Sequence, residues 1–289
     1  MKARLKILVT GSNGFIGSKI IENLDPKKYE VLRLQKNFEP GVLNCDLLDA
    51  DQAKKILGNL GHIDLLIHTA AIAHGQKQRK THVDNSVNVR ITKNLINSLG
   101  DSVSKAIFLS SISVCGLNLF SSSDVLAMYT QPVSDYGREK LFCEELFLRG
   151  LFDEVHILRL SPVFDESNLT DVSKRVIFPG MRNFKISIIP PPDYSFLHVS
   201  NLVDYVYNLT LVNNGGFWLH NLSDNKPYSQ RKISNWFKGI SIPIPLFLTF
   251  PLYCVSELLP YPIKQKFRES YIKLFKARYI KPGKIRLVN

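Results

Sequence analysis

A tyrosine and a lysine four positions apart, Tyr136 and Lys140, open a run that reads as one helix to Leu148, and that spacing sets both side chains on one face. A phenol with a pKa of about 10 is a poor acid or base at neutral pH, and a neighbouring ammonium favours its phenolate and brings it toward working range. Upstream, Phe108-Leu109-Ser110-Ser111 ends an apolar run in hydroxyls. In open parallel sheets the C-terminal edge of the strands is where ligands bind. A second feature lies near the N-terminus. Thr10-Gly11-Ser12-Asn13-Gly14-Phe15-Ile16-Gly17 follows the apolar run from Leu5 and leads into Ile16, Ile20, Ile21 and Leu24 at helical spacing. Its glycines permit a tight turn, let the backbone approach a pyrophosphate and let helix pack closely on strand, while the helix start offers amide donors. Gly11, Asn13, Gly14, Phe15, Ile16 and Gly17 are therefore candidates for holding a dinucleotide.

A dinucleotide fold that prefers NAD places an acidic residue on the ribose 2′-hydroxyl at the end of the second strand. The matching stretch here is Val31-Leu32-Arg33-Leu34-Gln35-Lys36, which has no carboxylate. Gln35 with Lys36 or Arg33 suits a 2′-phosphate instead, which predicts NADP(H) over NAD(H). The alternative is that Lys36 is a solvated loop charge. Asp46, after the third strand, either accepts a hydrogen bond from the adenine amino group or caps the next turn.

These residues need a scaffold, and the apolar pattern supplies one. The chain has 289 residues, 45% of them hydrophobic and 21% charged, which is ample for a core and excludes disordered, collagen-like and disulfide-scaffold chains. Strands are expected at Tyr29–Leu34, Gly41–Cys45, Ile63–His68, Ala106–Leu109 and Val155–Leu160. Helices are expected at Asp51–Leu57, Val83–Leu99 and Tyr136–Leu148, with Asp25-Pro26 stopping the first helix and Gly150 capping the last. Strands alternating with helices predict an α/β fold, a Rossmann-type doubly wound parallel sheet covered on both faces. After about Ser161 the alternation weakens and prolines accumulate, so residues 1–164 read as the NAD(P)-binding domain and 165–289 as a smaller substrate-binding lobe, partly interleaved with it. Cys45, Cys115, Cys143 and Cys254 lack the spacing of a zinc site and read as reduced thiols; with no signal peptide before the first strand, a cytoplasmic protein is expected.

In order along the chain stand the glycine turn, Asp46-Leu47, His68-Thr69-Ala70-Ala71, Asn88-Val89 with Thr92 and Asn94-Leu95, Ser110-Ser111, Tyr136 with Lys140, and Phe196-Leu197-His198-Val199 leading to Leu202-Val203-Asp204. Together they resemble the extended short-chain dehydrogenase/reductase family, the sugar-nucleotide epimerase, dehydratase and reductase group, over most of the chain. The resemblance implies that Ser111 hydrogen-bonds a sugar hydroxyl or carbonyl, that Tyr136 donates or removes its proton, and that Lys140 binds the nicotinamide ribose and tunes Tyr136. It implies too that Ala70 and Ala71 line the cofactor channel, that Leu47 and Asn88 belong to cofactor-binding motifs, and that the protein is a homodimer. Dehydratases of the group carry an Asp-Glu pair after the catalytic Ser or Thr, and Ile112-Ser113 stands there instead. The wording of Phe108–Ile112, a proline-rich apolar stretch and the missing ribose-binding acid are similar to bacterial enzymes that reduce the 4-keto group of nucleotide-activated 6-deoxy sugars for polysaccharide and O-antigen. The alternatives are an NAD-dependent 4-epimerase of a nucleotide- or lipid-linked sugar, and a non-catalytic NADP-binding sensor.

Some positions depart from the family. Val114-Cys115-Gly116 and Val163-Phe164-Asp165 stand where Val-Tyr-Gly is usual, and Tyr194 occupies the place of an arginine that contacts the substrate diphosphate. Lys174, Arg175, Arg182 and Lys185 remain as bases for that role, and the sequence does not choose among them. His68, His74 and His198 read as structural, and Cys115 as core. The net charge is +12, of which residues 241–289 carry +7, beside an apolar run at 242–255 that Pro243, Pro245 and Pro251 interrupt. That run is short of a membrane span. Packing on the lobe with solvated lysines is the first reading of this tail, and weak contact with an anionic bilayer the second. Nucleic-acid binding is not expected, because no recognised module accompanies the charge.

Overall fold

The computed structural model describes residues 4–71, 82–116, 130–178, 180–249 and 282–287, with single positions between 251 and 274. The first half runs β1 (Leu5–Thr10), α1 (Phe15–Glu22), β2 (Tyr29–Gln35), β3 (Leu43–Asn44), α2 (Ala50–Leu57), β4 (Ile63–His68), α3 (Val87–Leu99), β5 (Val103–Ser111), α4 (Asp135–Leu148) and β6 (Glu154–Leu160). The second half runs β7 (Val163–Phe164), α5 (Thr170–Ser173), β8 (Ile177–Phe178), β9 (Met181–Ile189), β10 (Asp193–Tyr194), β11 (Leu197–His198), α6 (Val199–Thr210), β12 (Gly216–Leu222), β13 (Tyr228–Ser229), α7 (Gln230–Ser234), β14 (Ile240–Pro245) and β15 (Gly283–Leu287).

One eight-stranded sheet, in the order β15-β12-β6-β5-β4-β1-β2-β3, organises the molecule, and every neighbouring pair in it is parallel except β12 with β15. Because a strand alternates its side chains, Leu8 joins a core cluster with Leu57, Leu95 and Phe147 of α2, α3 and α4, while Ile7 and Val9 join another with Ile20 of α1 and Leu202 and Val206 of α6. Both faces are thus covered, as the Rossmann-type reading expects. Strand order reverses at β1, between β2 and β4, and the glycine turn leaves β1 at that switch point.

Three elements differ by more than one residue from their sequence-based bounds; β5 extends beyond the expected Ala106–Leu109 to Val103–Ser111, because it pairs along its length with β4 and β6. The helix expected from Val83 begins at Val87, because the Ser86 hydroxyl accepts the Val89 amide at 3.4 Å as an N-cap, leaving residues 83–85 as a separate 3-10 turn. The third strand shortens to Leu43–Asn44.

The second half shares the main sheet: α6, β12 and β15 return to it. The remaining elements gather around a small core of Phe164, Val172, Val176, Tyr194, Phe196 and Ile233. A division at 164/165 is accordingly our proposal for where cofactor binding gives way to substrate binding, not a boundary of the sheet. The apolar run after Ser241 begins as β14, which pairs in parallel with β9 and leaves Ile240 and Ile242 exposed. No helix among the described residues is long and apolar enough to cross a membrane. Of the tail's cations, Lys284 and Arg286 lie over the Trp218 ring at 4.0 and 5.4 Å, covering apolar surface.

A polar chain crosses the sheet where β5, β6 and β12 adjoin. Lys105 pairs with Glu154 at 2.8 Å, Glu154 with His156, His156 Nδ1 with His220 Nε2 at 2.8 Å, and His220 Nδ1 with the Tyr205 hydroxyl at 2.8 Å. With both imidazoles neutral every link has one donor: Tyr205 donates to His220, His220 to His156 and His156 to Glu154. Protonating either ring would put a charge in this buried chain and force the Tyr205 hydroxyl to turn from donor to acceptor. Burial, first, and the neighbouring cations lower His156 to about 4 and His220 to about 3, and burial with the Lys140 charge lowers His68 to about 3. The unfolded chain therefore binds these protons first, below about pH 6.5, and stability falls with pH from there through the folded-state values. Each proton contributes a slope of up to about 1.4 kcal/mol per pH unit. Glu154, held down to about 2 by Lys105 and His156 against its own burial, adds a loss only below about pH 4.5. Urea midpoints from pH 8 to pH 4 are expected to decline already between pH 6.5 and 5; a flat profile to pH 5 would contradict the neutral chain.

Candidate active site

Close contacts at two glycines shape the site. A Cβ on Gly17 would stand 2.3 Å from the Gly11 carbonyl oxygen, so α1 can approach β1 this closely only with hydrogen there. A Cβ on Gly137 would stand 2.5 Å from the Ser113 carbonyl oxygen, so the first turn of α4 sits against the 3-10 turn that follows Ser111. This second contact brings the turn that carries Tyr136 to the same cavity wall as Ser111, and the Ser134 hydroxyl, accepting the Gly137 amide at 3.0 Å, fixes where α4 starts.

A cavity of about 690 Å³ opens along the C-terminal ends of the strands. Gly11, Asn13, Gly14, Phe15, Ile16, Gly17, Gln35, Lys36, Asp46, Leu47, Ala70, Ala71, Ser111, Tyr136 and Lys140 all line it, so one space holds the candidates from both ends of the sequence argument. Asn88 does not line it. Its amide donates to Glu139 at 2.8 Å and ties α3 to α4 behind the site. His68 is buried, with Nδ1 on Thr10 Oγ1 at 2.8 Å and Nε2 on Thr92 Oγ1 at 3.2 Å, a packing role. His198 caps α6 through the Ser200 amide, and His74 lies outside the described residues. Burial raises the Cys115 thiol despite the nearby Arg159.

At the reacting end, the Ser111 hydroxyl donates to Ser113 Oγ at 3.1 Å and accepts the Ser113 amide at 3.2 Å. Lys140 is buried, donates to the Leu109 carbonyl at 2.8 Å and lies 4.8 Å from the Phe108 ring centre and 5.9 Å from that of Tyr136. Burial lowers the Lys140 ammonium. The expectation that Lys140 pulls the Tyr136 phenol down is corrected for the protein alone: burial, then Asp171 and Glu139, hold it above its ordinary value. Tyr136 is therefore a protonated phenol, a donor, at neutral pH.

At the other end, the stretch Val31–Lys36 has no carboxylate of its own, and one approaches it from the loop that follows. The loop after β2 brings Glu39 back to accept from Gln35 Nε2 at 2.7 Å and from Arg33 at 3.1 Å. Gln35 is buried, and its Oε1 has no partner. Lys36 pairs with Asp46 at 2.9 Å on the cavity rim, and the second Asp46 oxygen accepts the Leu48 amide at 3.0 Å, the turn-capping arrangement. A dinucleotide fits these residues. The glycine cradle leaves no room for a Cβ, no side chain caps α1, and Gln35 Oε1 is a buried acceptor awaiting a donor. Asp171, Asn168 and Ser161, also in the cavity wall, went unnoticed in the sequence, where nothing in their local pattern marks them.

Comparison with known proteins bears on the family and the fold. A model described as the NAD dependent epimerase/dehydratase family matches residues 7–212. A protein of Methanocaldococcus jannaschii, described as a candidate UDP-glucose 4-epimerase, is 32% identical over 178 residues, 55% of this chain and 56% of that one, so the match spans about half the relative's length. Among solved structures, dTDP-4-dehydrorhamnose reductase from Bacillus anthracis in complex with NADP superposes with a TM-score of 0.63 at 17% identity, over 84% of this chain and 85% of that one. UDP-glucose 4-epimerase from Thermus thermophilus in complex with NAD gives 0.59 at 19% identity, over 83% and 86%. Likeness at such identities shows a shared fold.

Proposed function

The chain belongs to the NAD dependent epimerase/dehydratase family, a family of NAD(P)-dependent enzymes, and from that premise we propose that it reduces the 4-keto group of a nucleotide-activated 6-deoxy sugar. The observation that carries this reading is the convergence of Ser111, Tyr136 and Lys140 on one cavity with the glycine turn, with Tyr136 held protonated. The dinucleotide, when bound, supplies the hydride. Ser111 donates a hydrogen bond to the ketone oxygen and polarises it, and Tyr136 gives that oxygen its proton as the alcohol forms. Lys140, fixed by the Leu109 carbonyl, stabilises the phenolate left behind and is placed to hold the nicotinamide ribose. Polysaccharide assembly, a cytoplasmic location and a homodimer are parts of the same proposal; surface contact of the basic tail with a bilayer is its weakest part, given where Lys284 and Arg286 lie.

For the cofactor, Lys36 supports NADP(H). Its pair with Asp46 is solvent-exposed, worth no more than about 1 kcal/mol, and exchanges readily for a 2′-phosphate. A second reading, an NAD-dependent 4-epimerase, is favoured by Gln35 and Glu39: a free buried acceptor beside a carboxylate suits a ribose hydroxyl and repels a phosphate. Titration with NADPH and NADH by nicotinamide fluorescence separates the two. The reductase reading expects Lys36→Ala to weaken NADPH about tenfold and NADH less than about twofold, the scale of one charge-assisted contact. NADH preference, or NAD retained through purification, would hand the assignment to the epimerase.

A further inference from the structure

The cavity contains a cation that the reduction chemistry does not use. Arg175 follows α5, and its backbone is pinned on both sides: its N–H donates to the Val172 carbonyl at 2.9 Å, and its carbonyl accepts from Gln230 Nε2 at 2.9 Å. Gln230 is itself 1% exposed, with Oε1 accepting the Ile188 amide at 2.8 Å, so Arg175 is anchored on the core of the small lobe. The residue is only 9% exposed, yet it lines the cavity. Its guanidinium lies over the ring of Tyr194, 5.8 Å from the ring centre, and Tyr194 is buried and donates its hydroxyl to the Leu274 carbonyl at 2.8 Å.

Among the described residues no carboxylate forms an ion pair with this guanidinium and no side-chain hydrogen bond satisfies it. Asp171, whose charge acts on both Arg175 and Tyr136, is paired with Lys174 at 2.7 Å. Removing a guanidinium from water without a partner is costly, and proteins seldom keep one so unless something else completes it. The other bases differ in this respect. Lys185 spends its ammonium on the Ser234 and Phe237 carbonyls, Arg182 is exposed on β9, and Lys174 is half-exposed at the same cavity wall. Ser161, whose buried hydroxyl has no partner, lines the cavity as well.

We propose that Arg175, held over the Tyr194 ring, is the anchor for the diphosphate of the substrate, with Lys174 as a second cation at the rim. The planar fork of a guanidinium matches two oxygens of a phosphate, and the pinned backbone and the cation–π contact with Tyr194 order it before the ligand arrives. The proposal rests on reading the cavity as a nucleotide-sugar site.

Its test is calorimetry on protein already saturated with its dinucleotide, so that the glycine turn is filled. UDP, dTDP, GDP and ADP are titrated, with the nucleoside of the tightest binder and glucuronate as controls, into wild type, Arg175→Gln and Arg175→Lys. The expected result is diphosphate binding weakened about 10- to 100-fold by Arg175→Gln and less by Arg175→Lys, with nucleoside and dinucleotide affinities unchanged. Because the glutamine variant removes an unpaired buried charge, its Tm without ligand should equal or exceed that of wild type, whereas a structural arginine would give a lower one. Diphosphate affinity within threefold of wild type, no diphosphate binding to loaded wild type, or loss of glucuronate binding alone would each overturn the assignment. Failure of wild type to bind any nicotinamide dinucleotide would instead remove the functional reading beneath it.

Discussion

Tyr136→Phe is expected to lower kcat about 10²- to 10⁴-fold, the usual contribution of one positioned acid, while dinucleotide affinity stays within about twofold. The substitution removes one oxygen and leaves the ring. Its aromatic body still packs in the first turn of α4, and Gly137 still meets the Ser113 carbonyl, so the wall of the cavity keeps its shape. What disappears is the proton that the proposed reduction delivers to the alcohol oxygen. Lys140 and Ser111 remain in place, the one on the Leu109 carbonyl and the other free to turn its hydroxyl from Ser113 to the ketone oxygen, and neither replaces the lost phenol as the acid. Burial and the charges of Asp171 and Glu139 keep the phenol protonated well past pH 7, so reduction by wild type should show no loss from Tyr136 ionising below its ordinary value of about 10. Single-turnover rates with wild-type and variant protein check both statements. A variant that reacts within fivefold of wild type would remove Tyr136 from the chemistry.

The second large effect is on stability. Arg159 of β6 and Glu144 of α4 form a bidentate pair, Nη2 to Oε2 at 2.7 Å and Nε to Oε1 at 3.0 Å, with both side chains 4% exposed. Ser110 donates to the same carboxylate, so the pair locks the end of β5 next to Ser111 against the helix that carries Tyr136. Removing one partner strands a buried charge and costs about 3–5 kcal/mol, whereas replacing both with apolar groups of similar volume is often close to neutral. Arg159→Ala is therefore expected to lower Tm by roughly 10 °C, taking about 2–4 °C per kcal/mol for a chain of this size. Arg159→Met with Glu144→Leu should recover much of that loss. Thermal melts of the two single variants and the double variant measure the coupling; additive losses would show that the pair does not act as a unit.

Much of the scaffold was legible because its signals are local. The β1 and β4 runs, the glycine turn and the Tyr136–Lys140 spacing each depend on residues within one turn or one strand, and the sheet brings them to a single edge. What was not legible depends on side chains meeting across the fold or on loop return. Glu39 reaches Gln35 and Arg33 only because the chain after β2 doubles back, so reading β2 alone missed the carboxylate. Asn88 carries a family motif, but its amide turns toward Glu139, a partner 51 positions away. The direction of the Tyr136 shift was misjudged for a similar reason. Spacing on α4 revealed the ammonium of Lys140, and could not reveal the depth of burial or the approach of Asp171 from α5. Arg175 was one of four equivalent bases until packing separated it from Lys185, Arg182 and Lys174.

The most direct measurement of the central claim follows a labelled hydride. Protein is incubated with a dinucleotide carrying deuterium at the transferable nicotinamide position and with a nucleotide-activated 4-keto-6-deoxy sugar, and the product is read by mass spectrometry and NMR. The account predicts deuterium on C4 of the sugar, one equivalent per dinucleotide oxidised, appearing about 10²- to 10⁴-fold more slowly with Tyr136→Phe. A wild-type protein that binds the dinucleotide yet leaves C4 of every keto sugar offered unlabelled would contradict it.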